Sequence, residues 1–189
     1  MKIQYKDNIL DVEENTKIKD LLKDEIEKGK SIAARFNNEV KSLNYKLKED
    51  GNLTLIDISD KDGIRVYRKG LLFVIGKAVE ELYPNTQMMV NYQLSNSLLC
   101  EFDNLKVTDE VINKINQKVA EIVQRDLPIE KKSMTKEEAK EFYKDKETIK
   151  GKLQLDLNTK KQVSLYWCDN YFNYFYGILP ISTGCLNIY

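Results

Sequence analysis

The stretch R-K-G-L-L-F-V-I-G-K-A-V-E-E-L-Y (Arg68–Tyr83) constrains the fold more than any other. Its apolar residues recur at helical spacing, which predicts a helix with Leu71, Leu72, Ile75, Val79 and Leu82 on the buried side. Phe73 and Val74 extend the apolar surface nearly all round. Such a helix is stable only when other elements pack on several of its sides. Pro84 ends it. The segments before and after it must therefore supply the covering layers.

The preceding residues read as a self-contained unit. Met1–Tyr5 alternates, with Ile3 and Tyr5 on one parity; Asp7-Asn8 is a turn signal, and Ile9–Val12 returns as the second arm of a hairpin. Thr16 is placed to cap a helix whose stripe is Ile18, Leu21, Leu22 and Ile26, and Gly29 is placed to stop it. Short strands follow at Ile32–Phe36, Glu39–Val40 and Leu53–Ile58. Hairpin, helix, then short strands is the order of a β-grasp fold. The polar junction Lys61-Asp62-Gly63 sets the expected boundary, giving domains 1–61 and 62–189.

Beyond the central helix, Gln87–Val90, Tyr92–Leu94 and Leu98–Phe102 read as strands. Thr108 caps a helix with Asp109 and Glu110 in its first turn and Val111, Ile115, Val119 and Ile122 on its core face. Leu127–Lys131 is a strand, and Thr135–Glu138 is a capping box opening a helix with Ala139, Phe142 and Tyr143 inward. Gln162–Trp167, Tyr171–Tyr176 and Cys185–Tyr189 alternate as strands. The whole is an α+β chain.

Composition removes several chemistries. There is no histidine among the 189 residues, so no Ser-His or Cys-His nucleophile pair is available. Neither a Walker-type nor a G-x-G-x-x-G phosphate loop occurs. The three cysteines, Cys100, Cys168 and Cys185, are widely spaced and read as free thiols. Thirty basic residues balance thirty acidic ones; a neutral chain does not favour RNA, although a local patch allows it. The Lys131-Lys132 and Lys160-Lys161 pairs read as solubilising. The N-terminus lacks a signal-peptide core and the longest apolar run, Leu71–Ile75, is too short to span a bilayer. A cytoplasmic protein with no membrane partner is expected.

Two groups of motifs carry a resemblance. A-R-F-N-N-E at Ala34–Glu39 and L-N-Y-K-L-K-E-D-G at Leu43–Gly51 resemble the TGS domain, a β-grasp unit of threonyl-tRNA synthetases and several nucleotide-handling proteins. Val66–Pro84, D-L-P-I-E at Asp126–Glu130, M-T-K-E-E-A at Met134–Ala139 and Y-F-N-Y-F-Y-G-I-L-P-I-S-T-G at Tyr171–Gly184 resemble the second additional domain of those synthetases, an α+β editing domain. In that family a His-x-x-x-His pair and a Cys/His pair surround a hydrolytic pocket. The resemblance places Lys69, Phe73, Phe175 and Leu179 at the four positions. Phe and Leu supply no lone pair, and a lysine is normally protonated, so neither metal binding nor hydrolysis is expected there. The aromatic run at Tyr171–Tyr176 has two readings. One is a core strand; the other is a stacking pocket for a base, with Arg68, Tyr174, Tyr176, Ser182 and Thr183 flanking it. Gly177 and Pro180 bend the chain, and Gly184 suits a turn of positive φ.

A TGS unit before an editing-like domain without histidines is also similar to the N-terminal half of bacterial uridine-type nucleoside kinases. That resemblance implies a non-catalytic module ahead of a P-loop kinase domain beyond Tyr189. No cofactor is expected in these residues; ATP and Mg²⁺ are implied for the full-length protein, and a nucleoside or nucleotide is a possible ligand. The alternative is the N-terminal region of a threonyl-tRNA synthetase or relative, binding tRNA or aminoacyl-adenosine.

Overall fold

The computed structural model describes residues 1–84, 86–94, 97–144 and 154–187. They fall into two compact units: Met1–Leu71 with Asp126–Ile129 and Gly177–Tyr189, and Leu72–Arg125 with Glu130–Tyr176.

The first unit contains β1 (Lys2–Tyr5), β2 (Asn8–Asp11), α1 (Ile18–Leu21), α2 (Lys23–Gly29), β3 (Ala33–Phe36), β4 (Glu39–Lys41) and β5 (Gly51–Ile56). Its sheet has the order β2-β1-β5-β3-β4, with β1 and β5 parallel and the other pairs antiparallel. This is the expected β-grasp arrangement. The sheet is covered on both faces. Ile3, Ala34, Phe36 and Leu53 pack with Ile18 and Leu22 on one side, while Ala33 and Ile56 pack with Ile32 and Val66 on the other. Consecutive residues Ala33 and Ala34 are therefore both buried, and strict alternation fails there.

Local details differ from the sequence reading. The hairpin turns at Lys6-Asp7, with Lys6 at φ 54°, and Asn8 already belongs to β2. Thr16 caps nothing: its hydroxyl donates to the Glu13 carbonyl, and Lys17 stands at the N-cap without a side-chain bond. The helix breaks at Leu22 (φ −123°, ψ 35°), and Lys30, not Gly29, takes the left-handed position that ends α2.

The central helix α3 spans Lys61–Leu82, seven residues earlier at its start than periodicity indicated. The supposed polar junction is its first turn. Asp60 caps it, its carboxylate accepting from the Asp62 amide at 2.7 Å and its carbonyl from the Ile64 amide at 3.0 Å. Apart from Gly63 and Gly70, the buried positions are Val66, Phe73, Val74, Lys77, Ala78 and Val79, whereas Leu71, Leu72, Ile75 and Leu82 are only half-buried.

The second unit holds the ribbon β6 (Met88–Leu94) and β7 (Ser97–Phe102), then α4 (Asp109–Gln124), β8 (Glu130–Thr135), α5 (Lys136–Phe142), β9 (Gln162–Cys168) and β10 (Tyr171–Tyr174). The last three strands form an antiparallel sheet in the order β10-β9-β8. Thr108 caps α4 as expected, accepting from the Val111 amide. The Thr135–Glu138 capping box forms, with Ala139 and Tyr143 buried, but Phe142 is 45% exposed. The strand expected at Leu127–Lys131 starts only at Glu130. Leu127 and Ile129 instead bond within the first unit, to Thr183 and Ile181. Of the strand expected at Cys185–Tyr189, the described part is not a strand: Thr183–Leu186 is a 3₁₀ turn, and residues 188–189 lie outside the described residues. No helix among the described residues is long and apolar enough to cross a membrane.

Candidate functional site

Phe73 and Phe175 come together in the second unit. Phe73 is fully buried, and its ring meets Phe175 edge-on at 5.7 Å and Tyr171 at 5.0 Å. Lys69 and Leu179 lie in the first unit, where Leu179 is 2% exposed. Gly177 has φ 92°, and a Cβ there would stand 2.6 Å from the Lys69 ammonium. Partial burial, then the charge of Arg65, pushes the Lys69 amine below the usual lysine range. The four positions thus hold two buried apolar groups, a half-buried ring and a half-buried amine, and only the amine offers hydrogen-bonding chemistry. Among the described residues no cluster of Cys, Asp or Glu is placed to hold a metal ion.

The flanking residues divide. Thr183 is fully buried; its hydroxyl accepts from the Leu127 amide at 2.8 Å and it serves the fold. Ser182 bridges to Pro128, with its hydroxyl 3.5 Å from the Cys185 thiol. Gly184 lies in the 3₁₀ turn without positive φ. It is needed for close approach, because its amide donates to the Asp126 carboxylate at 2.9 Å and a Cβ would collide with that group. Arg68 is half-buried.

The aromatic run is mostly core. Tyr171 and Phe172 are buried, and β10 ends at Tyr174, whose hydroxyl accepts from Asn158 at 2.7 Å. Asn173 accepts from the Tyr143 hydroxyl and donates to that of Tyr171, each at 3.1 Å. Burial pushes both buried tyrosines far above the ordinary range, so they act as neutral hydrogen-bonding groups. Tyr176 differs: it is 71% exposed, with the Lys160 ammonium 5.3 Å from its ring centre. The Lys131-Lys132 pair also meets rings, Tyr166 at 5.9 Å and Trp167 at 4.7 Å, rather than only solubilising the surface.

Sequence reasoning passed over Lys77. It is 1% exposed, with its ammonium 2.8 Å from Glu81 and 3.8 Å from Asp169. Lys118 reaches Glu81 at 3.7 Å and Arg125 reaches Asp169 at 3.7 Å, so the network joins α3, α4 and the turn before β10. A pocket of about 290 Å³ opens beside it, lined by Lys77, Glu80, Glu81, Asn170 and Tyr171. The only signal was a lysine between Phe73 and Ala78 on an apolar helix, four residues before a glutamate.

The sequence of this chain has relatives among known proteins. The chain is 28% identical to a threonine–tRNA ligase of Clostridium tetani over 181 residues, which is 93% of this chain and 28% of that protein. It is 30% identical to one of Syntrophomonas wolfei over 158 residues, 82% of this chain and 25% of that protein, and 28% identical to one of Pelagibacter ubique over 155 residues. The chain thus spans about a quarter of the length of the curated relatives it matches. No family model matches it. These relatives favour the synthetase-like reading over the kinase reading.

Proposed function

We propose that this chain is the N-terminal region of a threonyl-tRNA synthetase relative, a TGS-type unit followed by an editing-like domain, which holds the aminoacylated end of a tRNA without hydrolysing the ester. The observation that carries this reading is the burial of Phe73 and Leu179, which the resemblance matches to two of the family's reactive positions. Hydrolysis needs a group to activate water, and neither a benzyl nor an isobutyl side chain can accept a proton or hold a metal. Lys69 is the one of the four positions whose side chain is a hydrogen-bond donor, the kind of group that an ester carbonyl or a ribose hydroxyl accepts from. ATP and Mg²⁺, implied only by the kinase resemblance, have no part in this proposal.

Filter binding with an aminoacyl-tRNA over a range of salt concentrations tests it. Affinity should fall steeply as salt rises, because phosphate contacts release counterions. Lys69→Gln should weaken binding at every salt concentration. Binding that is absent, or insensitive to both salt and Lys69→Gln, rejects the reading.

A further inference from the structure

The Lys77 ammonium is hard to account for by packing alone. It has three hydrogens to donate. Among the described residues, only the Glu81 carboxylate lies within hydrogen-bonding distance; Asp169 at 3.8 Å balances charge without bonding. This buried donor forms one wall of the 290 Å³ pocket. Glu80 forms another, its charge acting on the hydroxyls of Tyr143 and Tyr171. Tyr171 can lie this close to α3 because residue 76 is glycine; a Cβ there would stand 2.5 Å from its hydroxyl.

The charges select the ligand. A plain anion entering the pocket meets Glu80 and Glu81, and a plain cation meets Lys77. A small molecule carrying both signs satisfies both walls and adds no net charge beside the buried Lys77. We propose that this pocket binds a free α-amino acid. Its carboxylate accepts from Lys77 and from the Asn170 amide, and its ammonium donates to Glu80. The pocket is independent of the tRNA reading, since an aminoacyl ester has no free carboxylate to offer Lys77.

The test is calorimetry and thermal melting of the whole chain with the protein amino acids added singly. At least one should bind saturably and raise the melting temperature by about 3–6 °C at tenfold excess over Kd. Its N-acetyl derivative and methyl ester should each bind at least tenfold more weakly. Lys77→Met removes a buried charge and can cost folding itself, so Glu80→Gln, half-buried beside the pocket, is the deciding variant. It should lose at least tenfold in affinity while tRNA binding by the same protein stays unchanged. Absence of binding by any amino acid, equal binding of the ester, or wild-type affinity in Glu80→Gln overturns the proposal. None of these outcomes bears on whether tRNA binds.

Discussion

Replacing Gly177 by alanine puts a Cβ into a left-handed backbone conformation and against the Lys69 ammonium. The expected cost is about 1–2 kcal/mol, read as a lower urea midpoint at unchanged slope. Thr183→Val keeps the shape of a fully buried side chain but leaves the Leu127 amide without its acceptor. It should cost about 1–3 kcal/mol in the same assay, and wild-type stability would show that the contact is not made. At this scale the sequence was partly legible. It located S-T-G as a special turn, because Ser, Thr and Gly are turn-formers. It could not assign the jobs, because Thr183 and Gly184 are fixed by Leu127 and Asp126, nearly sixty residues away in the chain.

Among elements, α5 is held at its start by a reciprocal cap. The Glu138 carboxylate accepts from the Thr135 amide at 2.7 Å and hydroxyl at 2.9 Å, which holds its carboxyl below the ordinary value of 4.5. Because the folded value is the lower one, this stabilisation is fully present above 4.5 and is lost as pH falls through the depressed value. Glu138→Gln should therefore flatten part of the acid limb of a stability–pH profile; an unchanged limb would contradict the cap. Packing of α3 on β10 makes a second prediction. Gly76→Ala should destabilise, and Tyr171→Phe, which removes the atom nearest the new Cβ, should recover part of the loss in a double-mutant cycle. Strict additivity would refute that contact. Local signals of this kind, such as the capping box and Thr108, were legible because cap and helix lie within a few residues. The start of α3 was not, since Lys61-Asp62-Gly63 has loop-like composition and turns helical under the Asp60 cap. Nor was the burial of Lys77, because a lysine on a helix is ordinarily solvated.

For the whole molecule, a neutral net charge is no bar to RNA if the contacts are local. The β-grasp order could be read from hairpin, helix and strand signals, while the parallel pairing of β1 with β5 joins residues nearly fifty positions apart and needed the structure. An editing-like scaffold that has lost its hydrolytic chemistry, as proposed above, should bind an aminoacyl ester without cleaving it. The most direct test is to follow the ester of an aminoacyl-tRNA on an acid gel at protein concentrations that saturate binding. The expected result is a complex in which the ester decays no faster than in buffer. Faster decay would contradict that proposal: Phe73, Phe175 and Leu179 carry no group that activates water, so the reaction would have to run through an amine such as that of Lys69.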